Sequence, residues 1–165
     1  MSIDHISIST PAAEYDKTLL FYENVLSTLG YKRLYTIDNK AAGFGHRYPA
    51  FWVGAANPSH NIILESRQHD RRSGNHIAFV AKSRTAVDEF YRVALINGAK
   101  DNGAPGFRPQ YHRFYYGAFV IDADGNNIEA VNHFDWRTFI GWKSLATITT
   151  ITALIVGVLI TQQFT

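Results

Sequence analysis

A chain of 165 residues with 46% hydrophobic and 18% charged side chains can fill one packed core with a modest remainder, which excludes wholesale disorder. The formal charge of +2 is small and the basic residues are dispersed, so no nucleic-acid partner is expected. Cysteine is absent, which excludes disulfides, thiolate catalysis and cysteine metal sites and leaves His, Asp and Glu to hold any metal.

The chain opens Met1-Ser-Ile-Asp-His5, without the basic stretch and apolar run of a secretory signal. Alternation places a first strand over Ile3–Ser9, and a helix over Ala12–Leu29 follows, with Pro11 near its first turn and Thr10 as a candidate cap. Short strands follow at Lys32–Ile37, Ala41–His46 and Ala50–Gly54. Asn61–Glu65 is a candidate extra strand, and the polar stretch Arg67–Ser73, with Arg71-Arg72, reads as a solvated loop. The order then begins again. Asp4-His-Ile-Ser-Ile-Ser9 recurs as Asn75-His-Ile-Ala-Phe-Val80, and a second helix over Arg84–Asn97 carries Phe90-Tyr91 where the first carries Phe21-Tyr22. Gly30 and Gly98 end the two helices, as glycine does where a left-handed residue stops a helix. A strand at Ala99–Asn102, a turn-rich loop Gly103–Gln110, and strands at Tyr115–Ile121 and Asn127–Asn132 complete the second half, with Asp122–Asn127 as a turn. Duplication of one module is the economical explanation.

Side chains alternate faces along a strand, so Ile6 and Ile8 oppose His5 and Ser7, and Ile77 and Phe79 oppose His76 and Ala78. In the last strand Ile128 and Ala130 oppose Asn127, Glu129 and Val131. Three strands therefore offer an apolar face for the helices and a reverse face bearing His5, His76 and Glu129. Two imidazoles and one carboxylate from separate strands form a three-ligand set for one divalent ion, with positions left open for a substrate's oxygens. Each of the three is otherwise a satisfied polar group on a half-exposed sheet. The duplicate placement of the histidines favours the metal.

Asp4-His-Ile-Ser-Ile, Asn75-His-Ile-Ala-Phe and Asp122-Ala-Asp-Gly-Asn-Asn-Ile-Glu-Ala-Val resemble the first, fifth and eighth strands of the vicinal-oxygen-chelate superfamily, which includes glyoxalases, bleomycin-resistance proteins and dioxygenases. The resemblance implies an α+β fold of two paired βαβββ modules forming a cupped mixed sheet over residues 1–133. It implies one ion (Zn, Mn, Fe or Ni) on His5, His76 and Glu129, and paired modules that often meet as a homodimer. Glyoxalase I adds a glutamate on the fourth strand of the first module; Pro49–Gly54 has no carboxylate, and Glu65 is the alternative if Ile62–Ser66 is the true fourth strand.

Around this set, His112 and Tyr115 are candidates with Glu129 for proton transfer, and Arg108, Tyr111 and Trp52 for substrate binding. Ordinary packing and loop hydrogen bonding account for Arg108, Tyr111, His112 and Tyr115 equally well. Phe51 and Trp52 suit a pocket wall, and His46, His60 and His69 lack partners at ligand spacing. The expected function is a metal-dependent lyase, isomerase or dioxygenase-like enzyme acting on a small oxygen-rich molecule. A small-molecule-sequestering protein of the bleomycin-resistance type is the alternative, and an anchored scaffold with a structural metal is a third.

The tail differs from the rest. Residues 144–165 carry no charge, while Arg137, Trp142 and Lys143 precede them, so 134–143 is read as a linker and 144–165 as a C-terminal transmembrane helix with the main domain cytosolic. Four threonines between Leu145 and Ile160 (147, 149, 150 and 152) weaken its hydrophobicity, and a buried or partner-packing helix, or a β-rich tail, is the other reading.

Overall fold

The computed structural model describes residues 3–38, 40–56 and 74–133. Its elements, in chain order, are β1 (Ile6–Thr10), a 3-10 turn (Ala12–Glu14), α1 (Tyr15–Ser27), β2 (Lys32–Ile37), β3 (Ala41–Gly45) and β4 (Pro49–Ala55), then β5 (His76–Val80), α2 (Arg84–Ile96), β6 (Lys100–Phe107), β7 (Tyr115–Ile121) and β8 (Asn127–His133). They build two four-stranded sheets of identical topology, β1-β4-β3-β2 and β5-β8-β7-β6. In each the first strand pairs parallel with the last and the other neighbours are antiparallel. This is βαβββ twice, an α+β fold, as the repeated sequence pattern implies.

The repeat extends to hydrogen bonds. At the end of α1 the Tyr31 N–H bonds to the Leu26 carbonyl and the Gly30 N–H to that of Ser27; after α2, Ala99 bonds to Ala94 and Gly98 to Leu95. Gly30 (φ +83°) and Gly98 (φ +94°) hold the left-handed position these paired bonds require. The starts differ. Ser83 caps α2 by accepting the Ala86 N–H at 3.1 Å. Thr10 does not cap α1: it is the last residue of β1, and its buried hydroxyl pairs with Thr18 at 3.0 Å. A 3-10 turn led by Pro11 takes the place of the expected first helical turn.

Both helices bury one stripe at helical spacing, Tyr22, Val25 and Leu26 from α1 and Val87, Phe90 and Ala94 from α2. These pack on the alternating inward residues Ile8, Phe51 and Val53 of the first sheet and Phe79, Val120, Ile128 and Ala130 of the second, all in one continuous core. Edge-to-face rings cross the junction between modules, Phe51 against Phe79 at 5.3 Å and Tyr31 against Phe79 at 5.5 Å.

Two expectations for the second half and the tail are corrected. Much of the expected loop Gly103–Gln110 is strand: β6 runs to Phe107, with register shifts on either side of Gly103. It is an edge strand, where Pro105 forfeits no ladder bond and bulges take up the glycines. The membrane localisation is also withdrawn. No helix among the described residues is long and apolar enough to cross a membrane. The two helices have 13 residues each, whereas a span needs ~20. The linker 134–143, the segment 144–165, Asn61–Glu65, His60, His69 and Arg71-Arg72 all lie outside the described residues.

The turn before β8 is built on Asp122. Its Oδ1 accepts the backbone N–H groups of Asp124 (3.0 Å) and Asn126 (2.7 Å), and its Oδ2 accepts the Asn126 amide (2.8 Å) and the Tyr22 hydroxyl (2.6 Å) from the other module. Burial, and then the Asp122 charge, hold the Tyr22 phenol well above its ordinary range. The folded protein keeps this proton where the unfolded chain gives it up. Stability from this group is therefore complete below about pH 10 and falls above it by about 1.4 kcal/mol per pH unit until the folded phenol ionises. Tyr22→Phe is expected to lower the unfolding free energy by about 1–3 kcal/mol at neutral pH and to remove that part of the alkaline loss. Denaturant titrations of both proteins at a series of pH values check it.

Candidate functional site

The outer face of the second sheet is set by register. Ala78 faces Glu129 across β5–β8, and Glu129 faces Phe119 across β8–β7. His76, Glu129, Phe119, Tyr115 and His133 consequently project from one side. His76 Nε2 lies 3.2 Å from Glu129 Oε2. The imidazole is half exposed, whereas the Glu129 side chain is 2% exposed, so its charge depends on its neighbours rather than on water. Tyr115 supplies one of them, its hydroxyl donating to Glu129 Oε1. Room for that contact comes from Gly117, where a Cβ would stand 3.0 Å from Glu129 Oε1 and 3.1 Å from the Tyr115 ring. Burial, followed by the bond to Glu129, pushes the Tyr115 phenol far above its usual range, so it stays protonated and acts as a donor.

Other expected site residues surround this pair. The Arg108 guanidinium lies 5.5 Å from the centre of the Phe119 ring and is steadied by the Ala104 carbonyl at 2.7 Å. Phe119 in turn stacks on His76 at 6.3 Å. Tyr111 packs against Tyr115 at 4.8 Å. His112 sits at the rim, 5.4 Å from the Tyr115 ring, with Nε2 2.8 Å from Nδ1 of His133. The Phe114 N–H donates to His112 Nδ1, so the His112 proton lies on Nε2 and points at His133. Two residues on this face stand outside the expected site set. Asn127 and His133 share the face of Glu129 by period two, and that alternation is the signal that could have found them; His133 lies one residue past the expected end of the strand.

His5 and Trp52 stand elsewhere. His5 precedes β1 rather than lying within it, pairs with Asp4 at 3.1 Å and is half exposed. It does not join His76 and Glu129: among the described residues no three His, Asp or Glu groups come together as could hold an ion. Trp52 belongs to the first sheet, beside Ser7 across β1–β4 and 6.5 Å from the exposed ring of Tyr35. Each module places a histidine two residues before the strand position that faces Trp52 in one case and Glu129 in the other. Trp52 therefore occupies the position in the first module that Glu129 occupies in the second. Glu65 is not on β4 and lies outside the described residues. His46, in the bend after β3, bonds to the Gly30 carbonyl at 3.0 Å.

A doubled βαβββ framework with a His–carboxylate pair on the second sheet defines the class. The chain belongs to the Glyoxalase/Bleomycin resistance protein/Dioxygenase superfamily, whose family model matches residues 2–130. Among solved structures it is similar to a glyoxalase/bleomycin resistance protein from Albidiferax ferrireducens T118, at 24% identity over 78% of this chain and 97% of that one, with a TM-score of 0.59. It is similar also to a mutant of the fosfomycin resistance protein FosX from Listeria monocytogenes, complexed with Mn(II) and 1S,2S-dihydroxypropylphosphonic acid (19% identity, 78% and 87% covered, TM-score 0.54). A third is lactoylglutathione lyase from Agrobacterium tumefaciens (16% identity, 79% and 92% covered, TM-score 0.54). At these identities the likeness shows the fold alone. No curated protein matches the chain.

Tyr115→Phe leaves Glu129 Oε1 buried without its phenol donor and is expected to destabilise the domain by about 1–3 kcal/mol. Combined with Glu129→Leu, the loss is expected to fall short of the sum of the single losses by about 1 kcal/mol or more. A double-mutant cycle in urea measures this, and strict additivity would mean that the contact contributes nothing.

Proposed function

We propose that the unit 1–133 is a metal-dependent enzyme of the glyoxalase/dioxygenase-like kind, acting on a small molecule that presents adjacent oxygens. The observation that carries this is the buried Glu129 carboxylate with His76 Nε2 at 3.2 Å, a nitrogen and an oxygen of metal-ligand type brought together on one face. Two donors of the right chemistry fit a divalent ion, and one chain supplies no described third.

His5 of a second copy is the third donor in this proposal. Among the described residues nothing covers the outer face of the first sheet, which carries Ser7 and Trp52, with His5 just before β1, next to Tyr35 at 62% and Ile37 at 50% exposure. An apolar sheet face left open by the described residues suits a homodimer in which it closes over the His76–Glu129 face of the partner. Trp52 then walls the substrate pocket.

A bound divalent ion would supply Lewis acidity toward the substrate's oxygens. The chain's own residues do the rest. Tyr115 holds Oε1 of Glu129 so that Oε2 remains toward His76. Arg108, lying over Phe119, pairs with an anionic substituent. His112 exchanges a proton at Nε2 with His133 at the rim. The alternative, sequestration of a small molecule without turnover, draws on the aromatic face of Trp52 and Tyr35 and on a ligand set that the described residues of one chain leave at two donors.

Metal content of purified protein tests the reading. Wild type is expected to retain Mn, Zn, Fe or Ni, and His5→Ala and Glu129→Ala to lose most of it; equal content in all three ends the proposal. Mixing the two variants by joint refolding tests the dimer. A shared site leaves one intact His5–His76–Glu129 set in each mixed dimer, restoring about a quarter of wild-type metal, whereas a site within one chain restores none.

A further inference from the structure

We propose that Asn127 is a positioning residue whose side-chain amide, braced by Asn102, works with the Glu129 carboxylate to hold the His76 proton on Nε2 and turns over when His76 becomes a ligand. The second half of this statement rests on the metal reading above; the first does not.

The chain of contacts runs in one direction. Asn102 Nδ2 donates to Asn127 Oδ1 at 3.1 Å, which leaves Asn127 Nδ2 facing His76 Nδ1 at 2.7 Å. An amide nitrogen can only donate, so His76 Nδ1 must accept. The proton of the neutral ring then sits on Nε2, where Glu129 Oε2 accepts it at 3.2 Å. Asn102, Asn127, His76 and, from the other side, Tyr115 all donate toward the Glu129 carboxylate, which ends the network as its acceptor. This orientation satisfies every member without a cation.

The same orientation blocks ligation through Nε2. A ligand nitrogen needs its lone pair, so the proton must leave Nε2 for solvent while Nδ1 takes one up. Nδ1–H then faces an amide N–H, donor against donor, unless Asn127 rotates by about 180° to present Oδ1. Its Nδ2 then points at Asn102, whose own amide turns to accept it. Asn102 is exposed and Asn127 half-buried, so both turns are sterically open. Second-sphere partners of a ligand histidine commonly fix its tautomer in this way. Here the partner is an amide with both polarities available, able to serve the empty and the loaded site in turn. A carboxylate could serve only the loaded one.

Long-range 1H–15N correlation spectra of 15N-histidine-labelled protein report the tautomer directly. In metal-free wild type with the ring neutral, His76 is expected as Nε2–H. In Asn127→Leu the Nε2–H preference is expected to weaken, with Glu129 alone left to hold it, and in Asn102→Leu to weaken by less. With Zn2+ added, wild-type His76 is expected to switch to Nδ1–H. Asn127→Leu is expected to bind Zn2+ about tenfold or more weakly in competition with a chelator, and Asn127→Asp to restore the affinity. A metal-free wild type already in the Nδ1–H form, or an Asn127→Leu protein with unchanged tautomer and unchanged Zn2+ affinity, overturns the proposal. If the tautomer follows Asn127 but wild type binds no Zn2+, the metal reading fails and the amide's control of the empty site stands.

Discussion

A carboxylate shielded from water has to find its hydrogen bonds within the protein, and Asp122 finds four. Three come from its own turn and shape the backbone that launches β8. The fourth comes from Tyr22, 100 residues earlier on α1, and fastens one module to the other. Asn126, held by the same carboxylate, accepts from the backbone and side chain of Asn75, the residue before β5. The parallel pairing of β5 with β8 therefore starts at a fixed register, and that register brings His76 within reach of Glu129. The Asp-x-Asp-Gly-Asn motif thus does structural work, and the functional geometry depends on it at one remove.

The fold was legible because each signal was local and appeared twice. The His-Ile pair opening each half, the apolar stripes at helical spacing and the glycine after each helix are all encoded within a few residues. The site was legible in part. Alternation put His76 and Glu129 on one face because strand periodicity survives pairing. Whether His5 joins them depends on how the two sheets sit, which no strand pattern contains. The bulged edge strand β6 was hidden for a related reason: Gly103, Pro105 and Gly106 read as a loop until an edge position makes them tolerable.

The polar network around Glu129 was the least legible. Asn127 lies on the right face by periodicity alone, yet an asparagine two residues before a glutamate is an ordinary turn residue by composition. Its importance comes from Asn102 on an edge strand and His76 on another, a meeting made by cross-strand register. Polarity in such a network follows from which groups can only donate. Single residues do not reveal it, and the connected set does.

The two modules share a backbone, and at one matched position on their outer faces the difference in chemistry matters most. Where the second sheet has Glu129, the first has Trp52. A second buried carboxylate at that place would need its own donors and would bring another negative charge to any site the two faces share. The indole brings neither, and adds apolar surface beside Ser7 and Tyr35 instead. A duplicated framework thereby yields one face with a buried carboxylate and one with an indole in its place. Under the proposed reading, closing them on each other leaves three protein donors rather than four, with coordination positions free for a substrate lying against the tryptophan.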